Sequence, residues 1–172
     1  MDGTDLKELR TDWLKKQIAL VSQDIFLFHT SILENIRFSK PLASDEQVME
    51  AARAACIHDF IESLPDGYYT MIGDRGVRLS GGQKQRISIA RSFLLEPKIL
   101  ILDEATAFLD TSVEDRLKDT IRSMMDRKTI IVVSHRFSTI QNADKIIAHN
   151  KNGLFYEGPV KGYANESGNC FD

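Results

Sequence analysis

Three short apolar runs, at residues 18–22, 98–103 and 129–134, stand out from a chain that is otherwise amphipathic or polar. Each is strand-sized, rich in isoleucine, leucine or valine, and bounded by polar residues. Continuous runs of this kind suit strands of a sheet buried on both faces, as in α/β proteins. A weaker pair, at 145–148 and 154–156, surrounds Asn150-Lys151-Asn152-Gly153 and predicts a hairpin. Helical patterns separate the strands. Ser44 with Gln47 makes a capping box opening a helix to about residue 63, before Pro65-Asp66-Gly67 breaks it. A second helix is predicted from near Gly81 to just before Pro97. Thr111 with Glu114 makes another capping box, and Val113, Leu117, Ile121 and Met124 then supply one apolar stripe. Strands alternating with helices predict the α/β class. Residues 30–79 hold no convincing strand, which suggests a separate helical lobe, and no internal repeat is visible.

Composition narrows the picture without redirecting it. At 172 residues and 42% hydrophobic the chain fits one domain or a large piece of one. A net charge of −3 gives no strong pull towards nucleic acid or anionic lipid. Cys56 and Cys170 lie far apart, with no CxxC and no nearby histidine pair, which argues against zinc and against a disulfide framework. No apolar run approaches bilayer length, and the amino terminus reads as neither signal nor transit peptide. Taken alone the chain is expected to be soluble and cytoplasmic, with a loop-like, mobile tail after Gly158.

Two segments carry candidate chemistry. The run at 99–102 ends in Asp103-Glu104, and ligands of open α/β sheets sit beyond the carboxyl ends of strands. One carboxylate there can hold Mg²⁺ and a second can polarise an attacking water; the plain alternative is that both cap the next helix. Leu79-Ser80-Gly81-Gly82-Gln83 offers backbone N–H groups, a hydroxyl and the positive end of the following helix to an anion. A glycine turn with an N-cap explains Ser80 and one glycine, but not the whole pentapeptide.

Here the chain closely resembles the ATP-binding cassette (ABC) ATPase family. Leu79-Ser80-Gly81-Gly82-Gln83 matches the family signature, and Gln85-Arg86-Ile87-Ser88-Ile89-Ala90-Arg91 matches the stretch after it. Asp103-Glu104-Ala105-Thr106 matches the Walker B ending, Ala107-Phe108-Leu109-Asp110 the D-loop, His135 the switch histidine and Gln23 the Q-loop glutamine. Phe26-Leu27-Phe28, Ile32-Leu33-Glu34-Asn35-Ile36 and Ile72-Gly73-Asp74-Arg75-Gly76 resemble the exporter branch, where such surfaces face the coupling helices of a membrane domain; for Phe26 and Phe28 the plain alternative is a core aromatic. The resemblance implies a RecA-like core sheet plus a helical subdomain at about 30–95, with residues 1–158 a partial nucleotide-binding domain and 159–172 a flexible tail. It implies that Glu104 is the general base and His135 contacts the γ-phosphate of ATP. Gln23 and Asp103 would complete the Mg²⁺ shell. Ser80, Gly81, Gly82 and Gln83 would serve a nucleotide on the opposite subunit of a head-to-tail dimer, across which Asp110 would work. The implied partners are an exporter's transmembrane domain and a second nucleotide-binding domain, at the cytoplasmic face of a membrane. His29, His58 and His149 match no motif and read as surface residues.

The sequence departs from the family in several places. It contains no GxxxxGK[ST]: at the nearest spacing, Gly76 to Gly81, Gly82 and Gln83 stand where lysine and serine belong. The upstream adenine-stacking aromatic is also missing, so the chain reads as beginning inside the domain, without Walker A. Charge-assisted phosphate contacts of about 1.5–3 kcal/mol each would go with it. In the D-loop, Phe108 replaces a small residue and Ala107 removes a hydroxyl, and Pro159 replaces the usual helix start. The expected function is the carboxy-terminal part of an exporter's ATP-hydrolysing motor, with the isolated chain inactive. The alternative is a non-catalytic remnant that at most binds a full-length cassette partner. A chromosome-maintenance ATPase ranks behind both, because neither heptads nor a basic face occurs.

Overall fold

The computed structural model describes residues 3–73, 77–105, 109–125, 128–135, 139, 141–150, 153–161 and 163. The D-loop residues Ala107 and Phe108, the segment Asp74-Arg75-Gly76, Cys170 and the tail beyond residue 163 lie outside them. Two compact units, 1–131 and 132–172, divide the chain.

The first unit begins with helix α1 (Thr11–Gln17), which runs directly into strand β1 (Ile18–Val21). Helices α2 (Ile32–Arg37), α3 (Asp45–Ala54), α4 (His58–Glu62) and α5 (Gly81–Leu95) follow, then strand β2 (Ile99–Asp103) and helix α6 (Thr111–Met125). Strand β3 (Thr129–Val133) completes a sheet of order β1-β2-β3, in which β1 and β2 pair in parallel with Val21 opposite Leu102. The α/β class expected from the pattern is what the chain adopts. Helix α5 packs against α2, α3 and β1. Ile32, Ile36, Val48, Ile57, Ile61, Ile87, Ile89 and Leu100 are fully buried there, and burial of such side chains stabilises by about 1.5–3 kcal/mol each.

The sheet is not buried on both faces. Ala19 and Val21 are buried, but Leu20 between them is 58% exposed, and in β3 Ile131 and Val133 are 46% and 48% exposed. The helices of this unit cover only part of the apolar surface that the continuous runs present, so side chains alternate along β1 and β2.

Two helix boundaries differ from the sequence pattern. The helix predicted to reach residue 63 is broken after Ala54. Cys56 sits in the left-handed region (φ 55°), with Cys56 N–H donating to Arg53 O and Ile57 N–H to Ala52 O, each at 3.0 Å. That is a Schellman motif, in which the chain reverses before α4 starts. The last long helix starts at Thr111, and the Asp110 carbonyl accepts from Val113 and Glu114 N–H at 3.0 and 2.8 Å. Asp110, not Thr111, is therefore the cap, as aspartate's N-cap preference allows. The capping box of Ser44 and Gln47 and the stop of α5 before Pro97 are both present.

In the second unit, strands β4 (Ile146–Asn150) and β5 (Gly153–Gly158) form the expected antiparallel hairpin. Lys145 pairs with Glu157, and the Tyr156 hydroxyl donates to Pro159 O at 2.5 Å. A side chain at Gly158 would come within 2.7 Å of that hydroxyl, so the Tyr156 ring would have to shift to admit one.

Candidate functional site

The β1–β2 register sets where the expected residues fall relative to the two strands. Val21 pairs with Leu102, and two residues further along each strand come Gln23 and Glu104. The pairing ends there, so Gln23 lies two residues beyond the last pair on β1, and Asp103 and Glu104 lie one and two beyond it on β2. Gln23 is exposed, whereas Asp103 and Glu104 are half-buried. Glu104 has φ 47°, a left-handed conformation that costs a non-glycine residue about 1–3 kcal/mol. Such cost concentrates where the surroundings fix a side chain's direction for use.

This trio supplies an amide oxygen and carboxylate oxygens, hard donors that suit Mg²⁺. Among the described residues no cluster of three or more His, Cys, Asp or Glu side chains could cage a metal. A hydrated Mg²⁺ held by one carboxylate and completed by phosphate oxygens needs no such cage.

The signature segment opens α5. Ser80 is the N-cap: its Oγ accepts from Gln83 N–H at 3.2 Å, and Ser80 N–H donates to Gln83 Oε1 at 2.8 Å. The first intrahelical bond there runs from Lys84 N–H to Ser80 O. Helix geometry leaves the N–H groups of Gly81 and Gly82 without an intrahelical acceptor, pointing outward at the positive end of the dipole. Those two groups, more than the Ser80 hydroxyl, which the cap engages, are donors of the kind an anion can use. Asp110 is exposed at the start of α6, and His135 is exposed two residues beyond β3, in the second unit.

Several residues given no role by sequence turn out to organise this region. Arg86 donates through Nη1 to Cys56 O at 2.6 Å and through Nε to Gly82 O at 3.3 Å, fixing the signature turn onto the α3–α4 break. Burial pushes the Arg86 guanidinium below its ordinary pKa, partly offset by Cys56 and Asp110. His58, expected at the surface, is half-buried, its Nδ1 2.8 Å from the Tyr68 hydroxyl. Among the aromatics, Phe26 is exposed and Phe28 half-buried; Phe28 lies 5.1 Å from Phe26 and 4.4 Å from Phe38, ring to ring. Phe28, Thr30, Glu34, Arg37, Phe38 and Pro41 line an open cleft of about 360 Å³. The visible signal was polar residues on buried helix faces: Arg86 on α5 and Asn35 on α2.

A sheet with parallel β1 and β2, followed by an amide and two carboxylates, and a glycine-opened helix packed against it define an α/β domain. The chain belongs to the ABC transporter family, which it matches over residues 1–107. It is 48% identical over 153 residues to ABC transporter B family member 4 of Dictyostelium discoideum, covering 88% of this chain and 20% of that protein. It is 47% identical over 160 residues to heavy metal tolerance factor 1 of Caenorhabditis elegans, covering 93% of this chain and 20% of that one. The solved structure of a bacterial Atm1-family ABC exporter with ATP bound superposes with TM-score 0.91 at 38% identity, covering 97% of this chain and 30% of the exporter. The chain thus spans about a fifth of the length of those curated relatives.

Proposed function

We propose that this chain is the carboxy-terminal part of the ATP-binding and ATP-hydrolysing motor of an ABC exporter, working at the cytoplasmic face of a membrane. What supports the reading is the parallel pairing of β1 with β2, beyond whose last pair follow Gln23 on one strand and Asp103 and the left-handed Glu104 on the other. In this reading Gln23 and Asp103 hold Mg²⁺, which neutralises phosphate charge, while Glu104 accepts a proton from the attacking water. His135 contacts the γ-phosphate. Ser80, Gly81, Gly82 and Gln83 face ATP held by a second nucleotide-binding domain, and Asp110 works across that head-to-tail contact. The cleft of Phe28, Phe38 and Arg37 receives the exporter's transmembrane domain.

A second reading applies to the chain by itself. In it these 172 residues act as a half-site, whose capped signature at the start of α5 completes the ATP site of an intact cassette domain. Both readings predict ATP-dependent association with such a domain, weakened by Ser80→Arg or Gly82→Asp, which put bulk where backbone meets phosphate. Light scattering of the chain mixed with a hydrolysis-dead intact domain tests this. A folded chain that forms no complex in ATP sinks the trans-site reading, and ATP turnover by the chain alone, lost in Glu104→Gln, sinks the half-site reading.

A further inference from the structure

The loop at residues 24–30 leaves β1 just after Gln23 and presents Phe26 and Phe28, yet it forms no helix or strand. Ile72 N–H donates to Thr30 O at 2.9 Å at its far end, and two side chains from elsewhere in the chain hold the backbone of Phe26 and Phe28. Asn35 of α2 is fully buried; its Oδ1 accepts from Phe28 N–H at 2.9 Å, and its Nδ2 donates to Phe28 O at 3.0 Å and Ser31 O at 2.9 Å. The amide therefore treats Phe28 as a neighbouring strand would, meeting both its N–H and its C=O. Arg91 of α5 adds a fork: Nη1 donates to Phe26 O and Nε to Asn35 O, each at 2.6 Å, and Nη2 donates to Asn35 Oδ1 at 2.5 Å. The guanidinium also lies 5.5 Å from the centre of the Phe28 ring. Ser39 Oγ donates to Arg91 O at 2.7 Å, so the arginine is tied at both ends.

The geometry points to Arg91 and Asn35 as positioning residues, which lock the Phe26–Phe28 loop to the helix that begins at the signature. Only a planar guanidinium reaches three acceptors in this arrangement; lysine would keep the charge and reach fewer. Under the function proposed above, on which this part rests, a displacement of α5 by phosphate at its amino end carries the aromatic surface with it.

Amide hydrogen exchange on the 172-residue chain decides the matter without a partner or nucleotide. In Arg91→Lys the Phe28 amide should exchange about tenfold faster than in the wild type, while Val48 and Ala52 of α3 stay within about twofold. Phe28 exchange unchanged, or a rise of equal size in α3, would overturn the assignment. If Arg91→Lys does not fold, the wild-type Arg91 Nε–H serves instead. It should exchange about tenfold more slowly than that of the exposed Arg53, and equal rates would overturn the lock. Failure of ATP-dependent association, by contrast, removes the functional reading and leaves this result standing.

Discussion

Ser80 and Gln83 cap one another: each supplies a side-chain oxygen to the other's backbone N–H, at 2.8 and 3.2 Å. The pair that the family resemblance assigns to nucleotide thus also holds the amino end of α5. The two tasks separate by atom, since the cap uses the amides of Ser80 and Gln83 and leaves those of Gly81 and Gly82.

Ser80→Ala should therefore lower stability by about 1 kcal/mol through loss of the cap. Gly82→Asp, at the second helical position, should cost far less stability while weakening ATP-dependent association. Urea denaturation beside the association assay separates the two; equal loss of stability in both variants would contradict the division.

The left-handed backbone at Glu104 leads to an opposite effect. Glu104→Gly should raise stability by about 1 kcal/mol, because glycine adopts φ 47° without steric cost. A destabilised variant in thermal or urea unfolding would mean that side-chain contacts of Glu104 outweigh the strain.

In a full-length exporter containing this segment, Glu104→Gln should cut ATP turnover by about 10²–10⁴-fold while ATP still binds. The glutamine keeps the shape and loses the base. Steady-state phosphate release together with nucleotide trapping checks it, and near-normal release removes Glu104 from the base role.

Cys56 occupies the position where a Schellman motif usually has glycine. Cys56→Gly should stabilise the chain by up to about 1 kcal/mol, leaving the Arg86 bond to the carbonyl of residue 56 in place. Urea midpoints for the two proteins decide it, and a lower midpoint for the variant contradicts the strain argument.

Burial raises the Tyr68 hydroxyl to about 12. Between the unfolded value, near 10, and the folded one, the unfolded chain loses this proton and the folded chain keeps it. Stability from this group is complete below pH 10 and declines as pH rises towards 12. Tyr68→Phe should flatten that decline in urea midpoints measured from pH 9 to 12; identical slopes would show that Tyr68 does not carry it.

The strands, the α5 stop before Pro97 and the positions at the sheet's carboxyl edge were legible because each depends on local pattern. An apolar run predicts a strand, and the acids that follow it must sit at its end. What escaped depends on distance or on an unusual residue in a usual place. The break after Ala54 is marked by a cysteine where pattern expects glycine. The cap of α6 lay between two adjacent capable residues, Asp110 and Thr111, and only the bonds to the Asp110 carbonyl choose between them. His58 is drawn inward by Tyr68, ten residues on, which no periodicity displays. Arg91 meets Phe26 across sixty-five positions of sequence, and only the packing of α2 on α5 brings them together.

Strand β3 ends the sheet with Ile131, Val132 and Val133 all open to solvent, and among the described residues no strand lies on its far side. An unpaired row of backbone donors and acceptors flanked by valine and isoleucine is a template for other strands, whatever chain they come from. At high concentration such an edge offers a second chain a place to pair. A lysine at position 132 is the gatekeeper that would hold the protein in solution.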